Sequence, residues 1–487
     1  MTRDRRSAVL LIAALLAATP VPGAVAQSAQ QQGSTSAARL DPTTTSAAAK
    51  EEFSVGLAEW QTGAFTIAEQ HFRRAIALDS NFGLAHVFAG FIRPRSVEAM
   101  RLGELDRGVA LSARASTAEG LIALAWREAA ANRSRRSAQL LHEAMEILPG
   151  EPRLASEYVW ALISASDLKT AIDSARVFRE RFPSFPALYT PLSYALAARG
   201  DSAEALSVAE EYARVAPQST GSAAFYGRAL QVRGRYDEAE AQYRRSLTLA
   251  HPDYPGDARS SLAELYELRG RTADARAVAM EGIARAVNAT DSALYMSVAA
   301  GTAILAGDHR QALSLLAAAR EKSQFTGNTT LLPVDGLLAI SNALFGDRRA
   351  VPSYLARLPV PNPLDSSNAL VWHAVAYAYA RQLDSALAYA DHLTAGATPE
   401  TQWRTRWAHA ARGLAYREMR QCAQAVDELR QSDSTLVEVQ AARADCELQL
   451  GNRAAAIIWR DRVLARREVW LIQPWHVDAR ARMKRMK

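Results

Sequence analysis

Catalytic or metal-binding chemistry needs particular side chains at particular spacings, and in this chain of 487 residues they are sparse. The nine histidines stand singly, none at ligand spacing from another His, a Cys or a carboxylate, so neither a metal site nor a cofactor is expected. There is no HExxH, no GxSxG, no Walker-type phosphate loop and no paired CxxC. Glu264 and Glu267 could be asked to cleave a glycosidic bond, but their three-residue spacing puts both on one helix. A glycosidase needs its carboxylates on opposite sides of the bond. The residues point to a non-catalytic protein, with polysaccharide cleavage as a remote alternative.

The elements around these residues begin with a leader. Arg3, Arg5 and Arg6 precede an apolar run from Ala8 to Ala18, and Ala24-Val25-Ala26 supplies a small-x-small cleavage pattern. Residues 1–26 are therefore expected to be a secretory signal peptide cut after Ala26, giving a periplasmic or secreted protein. Residues 27–48, rich in Gln, Ser, Thr and Ala, are expected to be a flexible leader. The chain is 49% apolar and 22% charged, enough apolar material for a core, and its Ala, Leu, Arg and Glu content favours helices. The formal charge of +6 is uneven. Residues 460–487 carry nine Lys/Arg against three Asp/Glu and the signal segment carries +2, which leaves the body at about −2. A body without a basic face is not a nucleic-acid binder.

Twelve units begin near residues 49, 83, 118, 152, 186, 220, 256, 293, 332, 367, 406 and 437. Their eighth residue is small in eleven of twelve, among them Gly56, Gly90, Gly227 and Gly413; their twentieth is Ala in nine; their fifteenth is Gly in seven. Each unit is predicted to be two amphipathic helices, packed closely where the small residues meet and divided by a glycine that ends the first helix. This pattern resembles the tetratricopeptide (TPR) repeat, a 34-residue helix–turn–helix unit. The resemblance spans nearly all of residues 49–466, strongest at 49 and 220 and weakest at 83 and 332, where Pro94 interrupts the first helix of unit 83. It implies an all-α fold, a right-handed α-solenoid of about twelve TPR-like units, in an N-terminal array (49–255), a more degenerate C-terminal array (256–466) and a basic aromatic tail (467–487).

The resemblance also implies which residues face the inner groove: the second, fifth, ninth and twelfth of each first helix. The ninth places hold Phe91, Trp126, Trp160, Tyr194, Arg228 and Glu264, with Phe53 and Trp60 at other groove places of the first unit. Two readings are open. The rings line a binding strip for a protein or peptide partner, or for a glycan stacking on ring faces; or they pack between consecutive first helices as core. Cys422 and Cys446 fall on helices that neighbour each other in such a stack, so in an oxidising compartment they are disulfide candidates, two buried thiols being the alternative. The tail, with Trp470, Trp475 and its basic end, either caps the last unit or makes peripheral contact with anionic membrane. The function that follows is a protein–protein interaction scaffold of the cell envelope.

Overall fold

The computed structural model describes residues 38–61, 65–92, 98–131, 133–249, 258–286, 289–324, 334–358, 367–397, 402–467 and 471–486. Every regular element among them is helical, and the helices come in twelve successive pairs. They are α1 (Ala47–Gln61) with α2 (Phe65–Leu78), α3 (Gly83–Ile92) with α4 (Glu98–Ala115), α5 (Thr117–Ala130) with α6 (Ser134–Ile147), and α7 (Pro152–Ser164) with α8 (Leu168–Arg181). Next come α9 (Tyr189–Arg199) with α10 (Ser202–Val215), α11 (Thr220–Val232) with α12 (Tyr236–Leu249), α13 (Ala258–Leu268) with α14 (Thr272–Arg285), and α15 (Ala289–Leu305) with α16 (His309–Gln324). The last are α17 (Val334–Phe345) with α18 (Val351–Leu355), α19 (Ser367–Tyr379) with α20 (Leu383–Ala395), α21 (Trp403–Glu418) with α22 (Cys422–Gln431), and α23 (Val437–Gln449) with α24 (Arg453–Leu464). A single helix, α25 (Pro474–Arg485), follows. No helix of the described residues is long and apolar enough to cross a membrane.

The repeat positions have direct physical causes. A Cβ on Gly56 would sit 2.7 Å from the Phe72 ring, and one on Gly227 would sit 2.8 Å from the Tyr243 ring. The eighth place stays small because the partner helix passes that close. Opposite it, Ala68, Ala171, Ala239, Ala312, Ala386 and Ala425 of the twentieth place are fully buried. The fifteenth place is left-handed: Gly200, Gly234, Gly270, Gly307 and Gly451 have φ between 73° and 94°. Ser166, Arg381 and Arg420, at the same place in units that lack the glycine, adopt φ of 61–62°. The bond that closes the turn is kept in both kinds, as in Asp201 N–H to the Leu196 carbonyl and Gln421 N–H to the Tyr416 carbonyl, each 2.9 Å.

Unit 332 departs from this plan, its second half being a 3₁₀ turn at Arg348–Ala350 and a five-residue α18 opened by Pro352. In unit 83, α3 closes at Ile92, short of Pro94, which lies outside the described residues.

First helices pack on the first helices of the next unit, α3 on α5 and α17 through α19 and α21 to α23, so they form the inner side of the stack. Two large apolar clusters fill it. One runs from Ala49 to Phe225 and the other from Leu230 to Val477. They divide within α11, ahead of the boundary at 255 that repeat spacing suggests.

The segment ahead of α1 differs from the flexible leader expected over 27–48. Residues 38–46 are bonded to the first and the third units. The Thr43 N–H reaches Glu119 Oε1 at 3.0 Å, the Thr44 hydroxyl donates to Asp79 Oδ2 at 2.6 Å, and Gly150 N–H donates to the Ala38 carbonyl at 2.9 Å. The hydroxyls and amides of this threonine run, Thr44 foremost, hold the Asp79 carboxyl below its ordinary range. The first 37 residues, with the signal segment, lie outside the described residues.

Candidate binding surfaces on the inner face

The aromatic strip expected from the ninth places divides in two. Phe53 is fully buried and Trp126 is only 8% exposed. Trp126 wedges among rings of neighbouring units, with centroid distances of 4.5 Å to Phe91, 5.1 Å to Trp60 and 5.4 Å to Phe88. Trp60 in turn stacks on Phe91 at 5.6 Å. These four rings form one cluster between α1, α3 and α5, and Phe53 joins it through Phe88 at 5.5 Å. Phe53 and Trp126 are taken into core packing, because rings on closely spaced first helices lose more water by meeting each other than by facing a groove, while Trp60 and Phe91 stay half-buried.

Further along, the strip stays half open. Trp160 and Tyr194 are half-buried, with centroids 5.5 Å apart, and Arg228 continues the row, also half-buried. Glu157 lies almost one turn before Trp160 on α7; burial pushes its carboxyl up to about 7, with Arg153 opposing. Two rings and a guanidinium therefore follow one another along one stretch of inner face. Glu264 and Glu267 do not make a cleavage floor. Both are buried, and Glu267, raised by burial, accepts from the Thr272 hydroxyl at 3.1 Å.

In the second half the inner face is occupied by the chain itself. After α24 the tail turns back, and α25 packs against α15, α17, α23 and α24. Trp475 and Met483 are buried, and Val477 and Ala479 are fully enclosed. This overturns the picture of a tail free to lie on a membrane: Trp475 is 5% exposed, so the ring that would anchor it points into the protein. Trp470 lies outside the described residues. The tail also does more than cap the last unit, because it reaches back to α11. There Gln231 Nε2 donates to the Arg467 carbonyl at 2.9 Å, while Gln231 Oε1 accepts from the Tyr243 hydroxyl at 2.9 Å.

The ninth places show how the sequence prepares for this. In α15 the ninth place is Gly301, in mid-helix, and a Cβ there would collide with the Leu471 carbonyl oxygen. In α23 it is Asp445, which pairs with Arg482 of the tail and lies 3.5 Å from Arg417. A glycine inside a helix, where it lowers helix stability, was the one sequence sign that another backbone passes close by.

Cys422 and Cys446, on α22 and α23, have Cα atoms 5.0 Å apart and are joined as a disulfide.

No family model and no curated protein matches the chain. Among solved structures, a thermophilic TPR protein in Thermus thermophilus is 24% identical, at a TM-score of 0.31, over 35% of this chain and 91% of that one. The likeness is confined to about a third of the chain, and the architecture rests on the chain's own twelve helix pairs: an all-α helical-repeat solenoid.

Proposed function

We propose that this protein is a non-catalytic interaction scaffold of the cell envelope, which holds a segment of a partner protein on its inner face across Trp160, Tyr194 and Arg228. One observation carries this reading. The same inner face already holds a polypeptide segment, Arg467 and residues 471–485, by a side-chain bond to its backbone and by ring packing. A surface that grips one segment in this way has the geometry to grip another, and a rigid stack loses little freedom on binding. Export is supported by the signal-like residues 1–26 and by the disulfide, a bond that persists in oxidising compartments.

The test is crosslinking and pull-down from cell envelopes with the chain lacking residues 1–26, against a Trp160→Ala/Tyr194→Ala double variant. A partner captured by the first and at least about tenfold depleted with the second supports the strip. Equal capture by both refutes it. Binding on a glycan array that falls with the same double variant would instead assign the rings to carbohydrate stacking.

A further inference from the structure

The last pair of helices carries an arrangement that the scaffold reading does not use. Trp459 of α24 is buried, and two guanidiniums lie over its ring. Cζ of Arg443, from α23, is 3.9 Å from the ring centroid, and Cζ of Arg462, from α24, is 4.3 Å from it. Stacking on a ring uses the flat face of a guanidinium and leaves its in-plane N–H donors available. Here they stay unused. Neither side chain makes an ion pair or a hydrogen bond among the described residues, and Nε of Arg443 is buried without a partner.

The nearby carboxylates are engaged elsewhere. Asp427 pairs with Arg430 at 3.3 Å, Asp461 with Arg460 at 2.8 Å, and Glu447 accepts from Asn452 at 2.8 Å. Burial foremost holds Arg443 below its ordinary range; Glu447 opposes this, while Arg430 and Arg462 add to it. Three cations therefore act on one another around one ring, a placement that an added anion would relieve. Ile458, four places before Arg462 on the same helix, is 53% exposed and offers an apolar contact beside them.

We propose that Arg443 and Arg462, braced on Trp459, form a docking site for an acidic segment of a partner protein, whose carboxylates accept from the in-plane N–H donors of both guanidiniums. The occupant follows from charge. α24 carries Arg453, Arg460 and Arg462 against Asp461 alone, so it repels a basic segment and attracts an acidic one. The target is local, two forks at one ring, which suits carboxylates set along a chain better than the spread charge of a membrane. A guanidinium already held flat on a ring also loses little freedom on binding. The site belongs to the twelfth pair of helices, so it and the reading at Trp160 and Tyr194 can fail separately.

The experiment uses the full chain and a fluorescein-labelled peptide of alternating Glu and Leu, followed by anisotropy, with Gln in place of Glu in a control peptide. Wild-type protein is expected to bind the Glu peptide saturably, more weakly as salt rises, and to ignore the Gln peptide. Arg443→Gln/Arg462→Gln is expected to bind at least about tenfold more weakly, through loss of charge-assisted hydrogen bonds. Arg453→Gln, which removes a like charge from the same helix six places before Trp459, is expected to change binding by less than about twofold. Equal binding by wild type and the double variant, or an equal loss in Arg453→Gln, would reduce the site to general surface charge and overturn the proposal. Absent peptide binding overturns it as well, and binding to phosphatidylglycerol vesicles in its place would assign the cations to a membrane. Where the double variant loses its helical circular dichroism, Arg462→Gln, at a half-buried side chain without bonded partners, decides alone. Crosslinks at Trp160 and Tyr194 test the scaffold reading whatever the outcome here.

Discussion

Trp475 meets Trp372 edge to face, with ring centroids 4.7 Å apart and planes at 81°, although one ring belongs to the last helix and the other to the tenth repeat. Edge-to-face packing of this kind adds to the apolar area buried. It fastens the end of the chain to the middle of its second half, where a simple stack would have contact between neighbours only.

Removing that ring should loosen the tail selectively. Trp475→Ala is expected to cost about 3–5 kcal/mol, the range for truncating a buried aromatic. Hydrogen exchange should show residues 474–485 losing protection, while α1 to α10 keep theirs because their apolar cluster is separate. Uniform loss across both halves would contradict the division of the core.

The fifteenth place offers a paired test of backbone conformation. Ser166 holds φ 62°, which glycine adopts without the crowding of a Cβ, so Ser166→Gly is expected to stabilise by about 0.5–1 kcal/mol. Gly451 has φ 83° and nothing within 4 Å of its would-be Cβ, so Gly451→Ala should destabilise by about 1 kcal/mol through the backbone alone. Urea unfolding checks both, and opposite signs are the expected outcome.

Two buried groups give α25 a bounded pH range. Burial foremost pushes the Glu438 carboxyl from 4.5 up to about 7, so the folded state keeps a proton that the unfolded chain has lost, and stability falls as pH rises from about 4.5 to 7. Burial, then Arg466 and Arg480, hold His476 well below 6.5, so stability falls as pH drops below 6.5. Between about 4.5 and 6.5 the two slopes oppose each other. Exchange protection of α25 should be level there and decline on either side. In Glu438→Gln only the histidine slope remains, and protection should climb steadily up to pH 6.5. An unchanged profile in that variant would remove Glu438 from this role.

The bond between Cys422 and Cys446 closes a loop of sequence separation 24. Loop-closure entropy gives such a bond about 3–4 kcal/mol, on the chain-entropy account. Urea midpoints with and without reductant should differ accordingly, and a Cys422→Ser/Cys446→Ser double variant should match the reduced protein and ignore reductant.

The repeat was legible because its marks are local. Gly56 and Gly227 report how near the paired helix comes, and the glycines at the fifteenth place report a left-handed turn; both facts are set within one unit. Ser166, Arg381 and Arg420 show that the turn persists where the mark is missing. Ring exposure was not legible, because it is set between units. Trp126 and Trp160 hold the same place, yet the first is enclosed by Trp60, Phe88 and Phe91 of earlier units while the second meets the ring of Tyr194 and stays half open. The tail was harder still. Its docking depends on contacts between segments far apart in the chain, and only Gly301 marked it. The threonines of residues 38–46 carried the composition of a disordered leader, and their order comes from the Asp79 and Glu119 carboxylates that a reader of composition does not see.

That threonine strap has a mechanical consequence. A one-dimensional stack ordinarily frays from its ends, where each terminal unit has one neighbour. Here residues 38–46 tie the first unit to the third, and the tail ties the last unit to the sixth through Arg467 and to the eighth and ninth through α25. Melting must therefore start between the two fastenings, and the molecule behaves as a spring clamped at both ends, stiffest where solenoids are usually softest.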